Sequence, residues 1–147
     1  MSPKNIRWGI LATGRIAESF TKDLLVDPVT RNVTNVKHTV VAAASSSSKD
    51  RAQQFLKDVG ASSDAKPYGS YQEFSKDPDI DIVYVSTPHS HHYQNAMLCL
   101  EAGKNVLCEK AFTTNAEQLK LLVKKAREKV GRFTWYLTRI SMAADDQ

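Results

Sequence analysis

Ile82-Val83-Tyr84-Val85-Ser86-Thr87-Pro88-His89-Ser90-His91-His92 opens a stretch that re-emerges as Gly103-Lys104-Asn105-Val106-Leu107-Cys108-Glu109-Lys110, and the two ends decide the fold. The first run, Ile80 to Ser86, is almost wholly β-branched or aromatic, as a strand covered by helices on both faces must be, and is taken as the middle of the sheet. A helical stretch of about His91 to Ala102 follows, with Ser90 as a candidate cap, and Gly103 stops it before a strand at Asn105 to Cys108. Strand, helix, strand with short joints makes a parallel pair. Parallel strands gather their carboxyl ends on one rim, so Pro88, His89 and Lys110 are expected at the crevice where such sheets take ligands.

Working outward, the hydrophobic period switches repeatedly between two and 3.6. Ile6 to Leu11 reads as a strand and Arg15 to Leu25 as a helix with Phe20, Leu24 and Leu25 inward. Asp27 to Val36, with Pro28 and several Asn and Thr, reads as a loop before a second strand, His38 to Ala44. Lys49 to Val59 presents Ala52, Phe55, Leu56 and Val59 on one helical face and ends at Gly60. A short strand near Ala65 to Tyr68 and a short helix at Tyr71 to Ser75 lead to a stop at Asp77-Pro78-Asp79. The last helix, Asn115 to Val130, turns Leu119, Leu122, Val123 and Ala126 inward. The fold expected is α/β, a Rossmann-type open parallel sheet with helices on both faces, over residues 1–131. Residues 132–147 form a divergent tail in which Arg132 to Arg139 reads as a sixth strand and the remainder as a frayed end.

Composition narrows the function classes. A chain of 147 residues suits one domain able to bury about 70% of its unfolded surface. The charged share of 24% and formal charge of +4 fit an ordinary soluble protein with a small anionic ligand. Lys120, Lys124, Lys125, Arg127 and Lys129 share one helix without interleaved aromatics, so they read as a solvated face and nucleic acid is not an expected partner. No stretch suits a membrane span or a secretory leader, which makes a cytoplasmic location the expectation. Cys99 and Cys108 read as buried thiols.

The first strand-to-helix turn, Gly9-Ile10-Leu11-Ala12-Thr13-Gly14-Arg15-Ile16-Ala17, is where a dinucleotide pyrophosphate meets a helix N-terminus. Gly14 stands at the middle glycine and Ala17 is small where helix meets strand, while Ala12 departs from the usual first glycine. Alone, this degenerate pattern fits a structural turn equally well. The second strand lacks the acid that usually takes the ribose of NAD. Ser45, Ser46, Ser47 and Ser48 follow it, with Lys49 and Arg51 behind, a set suited to the 2′-phosphate of NADP; the competing reading is a serine loop that caps the next helix. His89, His91 and His92 lack further ligands at zinc spacing, so no metal is expected. Thr87, Pro88, His89 and His92 read instead as a rim for a ribose, with a plain structural hydrogen bond as the alternative for His92.

These residues resemble the N-terminal domain of the Gfo/Idh/MocA (glucose-fructose oxidoreductase) family over about Ile6 to Gly131. The carriers are the turn just quoted, Asp81 to Tyr93, and above all Glu101-Ala102-Gly103-Lys104-Asn105-Val106-Leu107-Cys108-Glu109-Lys110-Ala111. Within the family the combination looks most like NADP-dependent D-xylose dehydrogenases and dimeric dihydrodiol dehydrogenases. The resemblance implies NADP as cofactor, held by Ala12, Thr13, Gly14, Arg15, Ile16, Ser45, Ser46, Ser47, Arg51, Thr87, Pro88, His89, His92, Glu109 and Lys110. It implies Lys110 as the catalytic residue that stabilises the negative charge developing on a sugar or diol oxygen as its proton leaves; a solvent-facing lysine is the alternative. Ala111 stands where the family has proline. Family members continue into a sheet-rich substrate domain, which is expected to be absent here. Two readings follow: an oxidoreductase in truncated form that binds cofactor with little turnover, or a stand-alone NADP-binding regulatory module. Trp135 and Tyr136 leave association into a homo-oligomer open.

Overall fold

A computed structural model describes residues 2–109 and 116–129, with His89 described by its backbone alone. Five parallel strands, β1 (Lys4–Leu11), β2 (Val36–Ala44), β3 (Lys66–Tyr68), β4 (Ile82–Val85) and β5 (Asn105–Cys108), lie in the order β3-β2-β1-β4-β5. The helices between them are α1 (Arg15–Leu24), α2 (Lys49–Asp58), α3 (Tyr71–Ser75), α4 (His92–Glu101) and α5 (Ala116–Lys129).

Alternation along the strands sorts the core into two layers. Trp8, Ile10, Val40, Ala43, Ile82 and Tyr84 point to one face and meet Ala17 of α1 and Phe55 and Leu56 of α2. Leu11, Ala42, Ala44, Val83, Val85, Val106 and Cys108 point to the other and meet Phe74, Cys99, Leu100, Leu122 and Ala126 on α3, α4 and α5. The run Ile82–Val85 is apolar at every position because both of its faces are covered.

The structure corrects two expectations. β1, rather than β4, is the middle strand, because it pairs with β2 on one side and with β4 on the other. The chain winds outward from β1 in both directions, so the switch point of the sheet lies between β1 and β4. Ser90 does not cap α4. A 3-10 turn at His89–His91 precedes that helix, His91 is its N-cap without a side-chain hydrogen bond, and the Ser90 hydroxyl pairs with His91 Nδ1 at 3.0 Å.

Elsewhere the boundaries shift by a few residues. The loop before β2 holds a 3-10 turn at Pro28–Arg31, nucleated by Asp27 accepting from the Val29 amide. Gly60 and Gly103 take φ of +76° and +81° just past α2 and α4, the left-handed geometry that ends a helix at low cost for glycine. At the amino end of the sheet, Arg7 forks onto Asp81 at 2.9 and 3.1 Å, and Lys66 bridges Asp77 and Asp79. Buried Lys104 there donates to the carbonyls of Asp77 and Ile80. The expected inward residues of α5 divide: Leu122 and Ala126 are buried, and Leu119 and Val123 are half-buried. Its basic residues pair locally, Lys120 with Glu117 and Lys125 with Glu128. The tail beyond residue 129, with Trp135, Tyr136 and the expected sixth strand, lies outside the described residues.

Candidate functional site

Register builds the site. Leu11 pairs with both Ala44 and Val85, and Val85 pairs with Cys108, so β1, β2, β4 and β5 end level with one another. The next residue on each strand is Ala12, Ser45, Ser86 and Glu109, and all of them line one cavity of about 670 Å³. That is the crevice beyond the carboxyl ends of an open sheet, and its size is typical of small-molecule sites. Backbone bonds fasten the rim: the Ala12 amide donates to Ala44 O at 3.0 Å, Ser86 N to Leu11 O at 3.1 Å, and Glu109 N to Val85 O at 3.1 Å.

The turn after β1 opens onto this cavity. Ala12 turns with φ of +85°, a left-handed conformation that leads the chain from the strand into α1. Gly14 is the N-cap of α1, and no side chain caps that helix. The first amides of α1 therefore have no intrahelical carbonyl and face the cavity side, where Thr13, Gly14, Arg15 and Ile16 all line it. A Cβ built on Gly14 would meet nothing within 4 Å. Glycine there is not demanded by packing; it leaves room for a ligand. Gly9 is the opposite case, since a Cβ there would lie 2.6 Å from Phe74 Cζ and 2.9 Å from Ile80 Cδ1. Ala17 is fully buried at the helix–strand contact, as the turn requires.

The serine run divides between a helix cap and the cavity wall. Ser48 caps α2 by accepting from the Arg51 amide at 3.2 Å. Ser45, Ser46 and Ser47 line the cavity together with Arg51, and the Ser45 and Ser47 hydroxyls are 2.9 Å apart. Hydroxyls and a guanidinium thus stand at the β2 end, with Arg15 as a second cation at the α1 turn.

On the other side of Gly14, Ser86, Thr87, Pro88, His92 and Glu109 complete the lining. Asn95 of α4 fixes Thr87 by donating to its hydroxyl at 3.0 Å, both groups being buried. His92 is buried, 1% exposed, at the start of α4. Glu109 accepts a hydrogen bond from the Tyr84 hydroxyl. Lys110 lies outside the described residues, and so does the side chain of His89. Among the described residues no three His, Cys, Asp or Glu gather as a metal group. No described helix is long and apolar enough to cross a membrane. Cys99 and Cys108 are free and buried, and burial pushes both thiols up to about 12.

Two lining residues escape the sequence. The apolar run reads through to Ser86; β4 ends at Val85, which puts Ser86 on the rim with Ala12, Ser45 and Glu109. Tyr71 opens α3 directly after β3, whose last residue Tyr68 is level with Ala44, so it reaches the β2 end of the cavity.

The profile of a family described as an oxidoreductase family with an NAD-binding Rossmann fold (GFO_IDH_MocA) matches residues 6–136. The chain is 59% identical over 128 residues to a D-xylose 1-dehydrogenase (NADP(+)) of Hypocrea jecorina, covering 87% of this chain and 33% of that protein. It is 39% identical over 122 residues to a trans-1,2-dihydrobenzene-1,2-diol dehydrogenase of Mus musculus, covering 83% and 34%. KijD10, a 3-ketoreductase of Actinomadura kijaniata crystallised with TDP-benzene and NADP, superposes with a TM-score of 0.72 at 31% identity, over 86% of this chain and 36% of that one. The chain spans about a third of the length of the curated relatives it matches. With the sheet order, the uncapped turn and a match over most of its length, this chain belongs to the Gfo/Idh/MocA oxidoreductase family, by its NAD-binding Rossmann fold.

Proposed function

We propose that the cavity holds NADP(H) and that the chain is the cofactor-binding part of a dehydrogenase that oxidises the C1 hydroxyl of a sugar of the D-xylose type. The observation that carries this reading is the rim itself, where an uncapped helix N-terminus stands between a hydroxyl-and-guanidinium cluster and a carboxylate. The groups fit a phosphorylated dinucleotide. Amides of the α1 turn would take the pyrophosphate, and Ser45, Ser46, Ser47 and Arg51 the 2′-phosphate, with no acid at the end of β2 to repel it. Tyr71, which lines the same cavity as Arg51, supplies an apolar ring for the adenosine end. Thr87, Pro88, His92 and Glu109 would flank the nicotinamide ribose, and His89 belongs to the same proposal by its position after Pro88.

NADP, when bound, supplies the hydride acceptor. The remaining work falls to side chains: Glu109 would orient the nicotinamide end, and Lys110, the next residue, would offer an ammonium to the negative charge that grows on the substrate oxygen as its proton is released to solvent. The relative with 59% identity is named for D-xylose and NADP, which favours the sugar over a diol. A trans-dihydrodiol is the second reading, supported by relatives such as that of Mus musculus.

The test compares NADPH and NADH affinity by fluorescence titration in the wild type and in Arg51→Ala. The expected result is tighter binding of NADPH in the wild type and loss of about tenfold of that preference in the variant, the scale of one charge-assisted contact to phosphate. Equal preference in both chains refutes the 2′-phosphate assignment. NADPH formation is then followed with D-xylose and with a trans-dihydrodiol as substrates, the reactions for which the two relatives are named. Turnover with the diol and none with the sugar would replace the sugar reading.

A further inference from the structure

Tyr84 carries a hydroxyl into a strand that is otherwise hydrocarbon, and it is 1% exposed. A hydroxyl buried that deeply needs a partner. The register supplies one: Tyr84 lies opposite Leu107, so Glu109, two residues further along and on the same face, is its diagonal neighbour. The hydroxyl donates to Glu109 Oε1. Burial first, and then the facing carboxylate, hold the phenol far above its ordinary range, so Tyr84 remains a donor at any working pH.

The ring is fixed from the other side. Phe20 of α1 stacks on it with centroids 3.8 Å apart and planes 11° from parallel, and Trp8 meets Phe20 edge-on at 5.6 Å. Tyr84 does not line the dinucleotide cavity. Glu109 lines it, and also lines a second hollow of about 430 Å³ beside it, whose walls are Arg15, Ile16, Ser19, Phe20 and Tyr84 itself. A half-buried carboxylate between two openings could sit in more than one rotamer; the bond to Tyr84 selects one.

We infer that Tyr84 is a positioning residue that fixes Glu109 in the orientation that receives the nicotinamide-ribose end of the dinucleotide. This rests on the cofactor reading above and adds to it a residue that does not itself touch the cavity. The consequence is selective: losing the hydroxyl weakens a ligand that reaches Glu109 and spares one that stops at the α1 turn.

Tyr84→Phe keeps the ring, the stack on Phe20 and the packing, and removes only the donor. Wild type and variant are titrated with NADPH and with adenosine 2′,5′-bisphosphate, which carries the 2′-phosphate and lacks the nicotinamide ribose. NADPH affinity is expected to fall about tenfold, the scale of one hydrogen bond to a charged group, with bisphosphate affinity unchanged. A merely structural role would lower both together, and that outcome, like unchanged NADPH affinity, overturns the inference. Glu109→Ala is the second variant, needed if Tyr84→Phe does not fold. It is expected to show the same selective loss, and a loss on both ligands or on neither overturns the inference. Adding Tyr84→Phe to Glu109→Ala is expected to cost nothing more; a further tenfold loss means that Tyr84 acts by another route. A wild-type chain that binds neither ligand overturns the cofactor reading and this inference with it, whereas one that binds both while Tyr84→Phe behaves identically overturns this inference alone.

Discussion

Adding one methyl group at Gly14 and one at Gly9 separates the two tasks that glycine performs in the first turn. Gly14 has φ of −80° and ψ of −175°, a conformation open to any residue, and a Cβ there has nothing within 4 Å. Alanine is a poorer N-cap than glycine, a cost of about 0.5–1 kcal/mol. Restricting the unfolded chain returns about 0.4–1 kcal/mol, so Gly14→Ala is expected to leave folding stability unchanged within about 1 kcal/mol. On the proposed cofactor reading, the same methyl group stands in the path of the phosphates to the α1 amides, and a loss of at least about tenfold in NADPH affinity, or about 1.4 kcal/mol, is expected. At Gly9 the added Cβ would lie 2.6 Å from Phe74 Cζ in a fully buried contact. Overpacking of that kind costs about 1–3 kcal/mol. Urea denaturation and NADPH titration on both variants measure the two effects separately. Gly14→Ala that binds NADPH as tightly as wild type, or Gly9→Ala that is as stable as wild type, would refute the division of roles.

Ala12→Gly is expected to stabilise the chain: a left-handed alanine costs about 1–2 kcal/mol and the extra freedom of glycine in the unfolded state takes back about 0.5–1 kcal/mol, leaving a net gain of about 0.5–1 kcal/mol readable as a rise in Tm. Stability is expected to fall as pH drops below about 4. The Arg7 fork holds Asp81 below the usual carboxylate range; burial alone would push Asp77 up, but Tyr68, the Asp79 amide and Lys66 outweigh it. Both depressed groups stabilise the fold above their unfolded pKa and lose that contribution as acid protonates them. Asp81→Asn should therefore be less stable than wild type at pH 7, and the two curves should converge in acid; a constant gap down to pH 2 would remove Asp81 from the account.

Much of the architecture is legible because local signals agree. Ile82 to Val85 is apolar at every position, Gly60 and Gly103 sit where two helices end, and Ser45 to Ser48 with Arg51 announces polar chemistry after an apolar strand. What escapes is set by pairing between distant residues. Nothing near β1 says that it pairs on both sides, so its apolar neighbour β4 reads as the middle strand. Ser90 has the right type for a cap, yet the His89–His91 turn intervenes before α4. Tyr84 reads as one more core aromatic until the β4–β5 register puts Glu109 diagonal to it, and Tyr71 reaches the cavity only because β3 pairs beside β2. Ala12 marks the turn as irregular without telling its φ. Glu109 shares the cavity with Gly14 as expected, while Lys110 lies outside the described residues.

The most direct test is a crystal structure of this chain with NADP+ bound. The account predicts pyrophosphate oxygens about 3 Å from the amides of the α1 turn, the 2′-phosphate within the same reach of the Ser45–Ser47 hydroxyls and Arg51, and the nicotinamide ribose beside Glu109. A dinucleotide bound away from the carboxyl ends of β1, β2, β4 and β5, or running in the opposite direction across them, would contradict it.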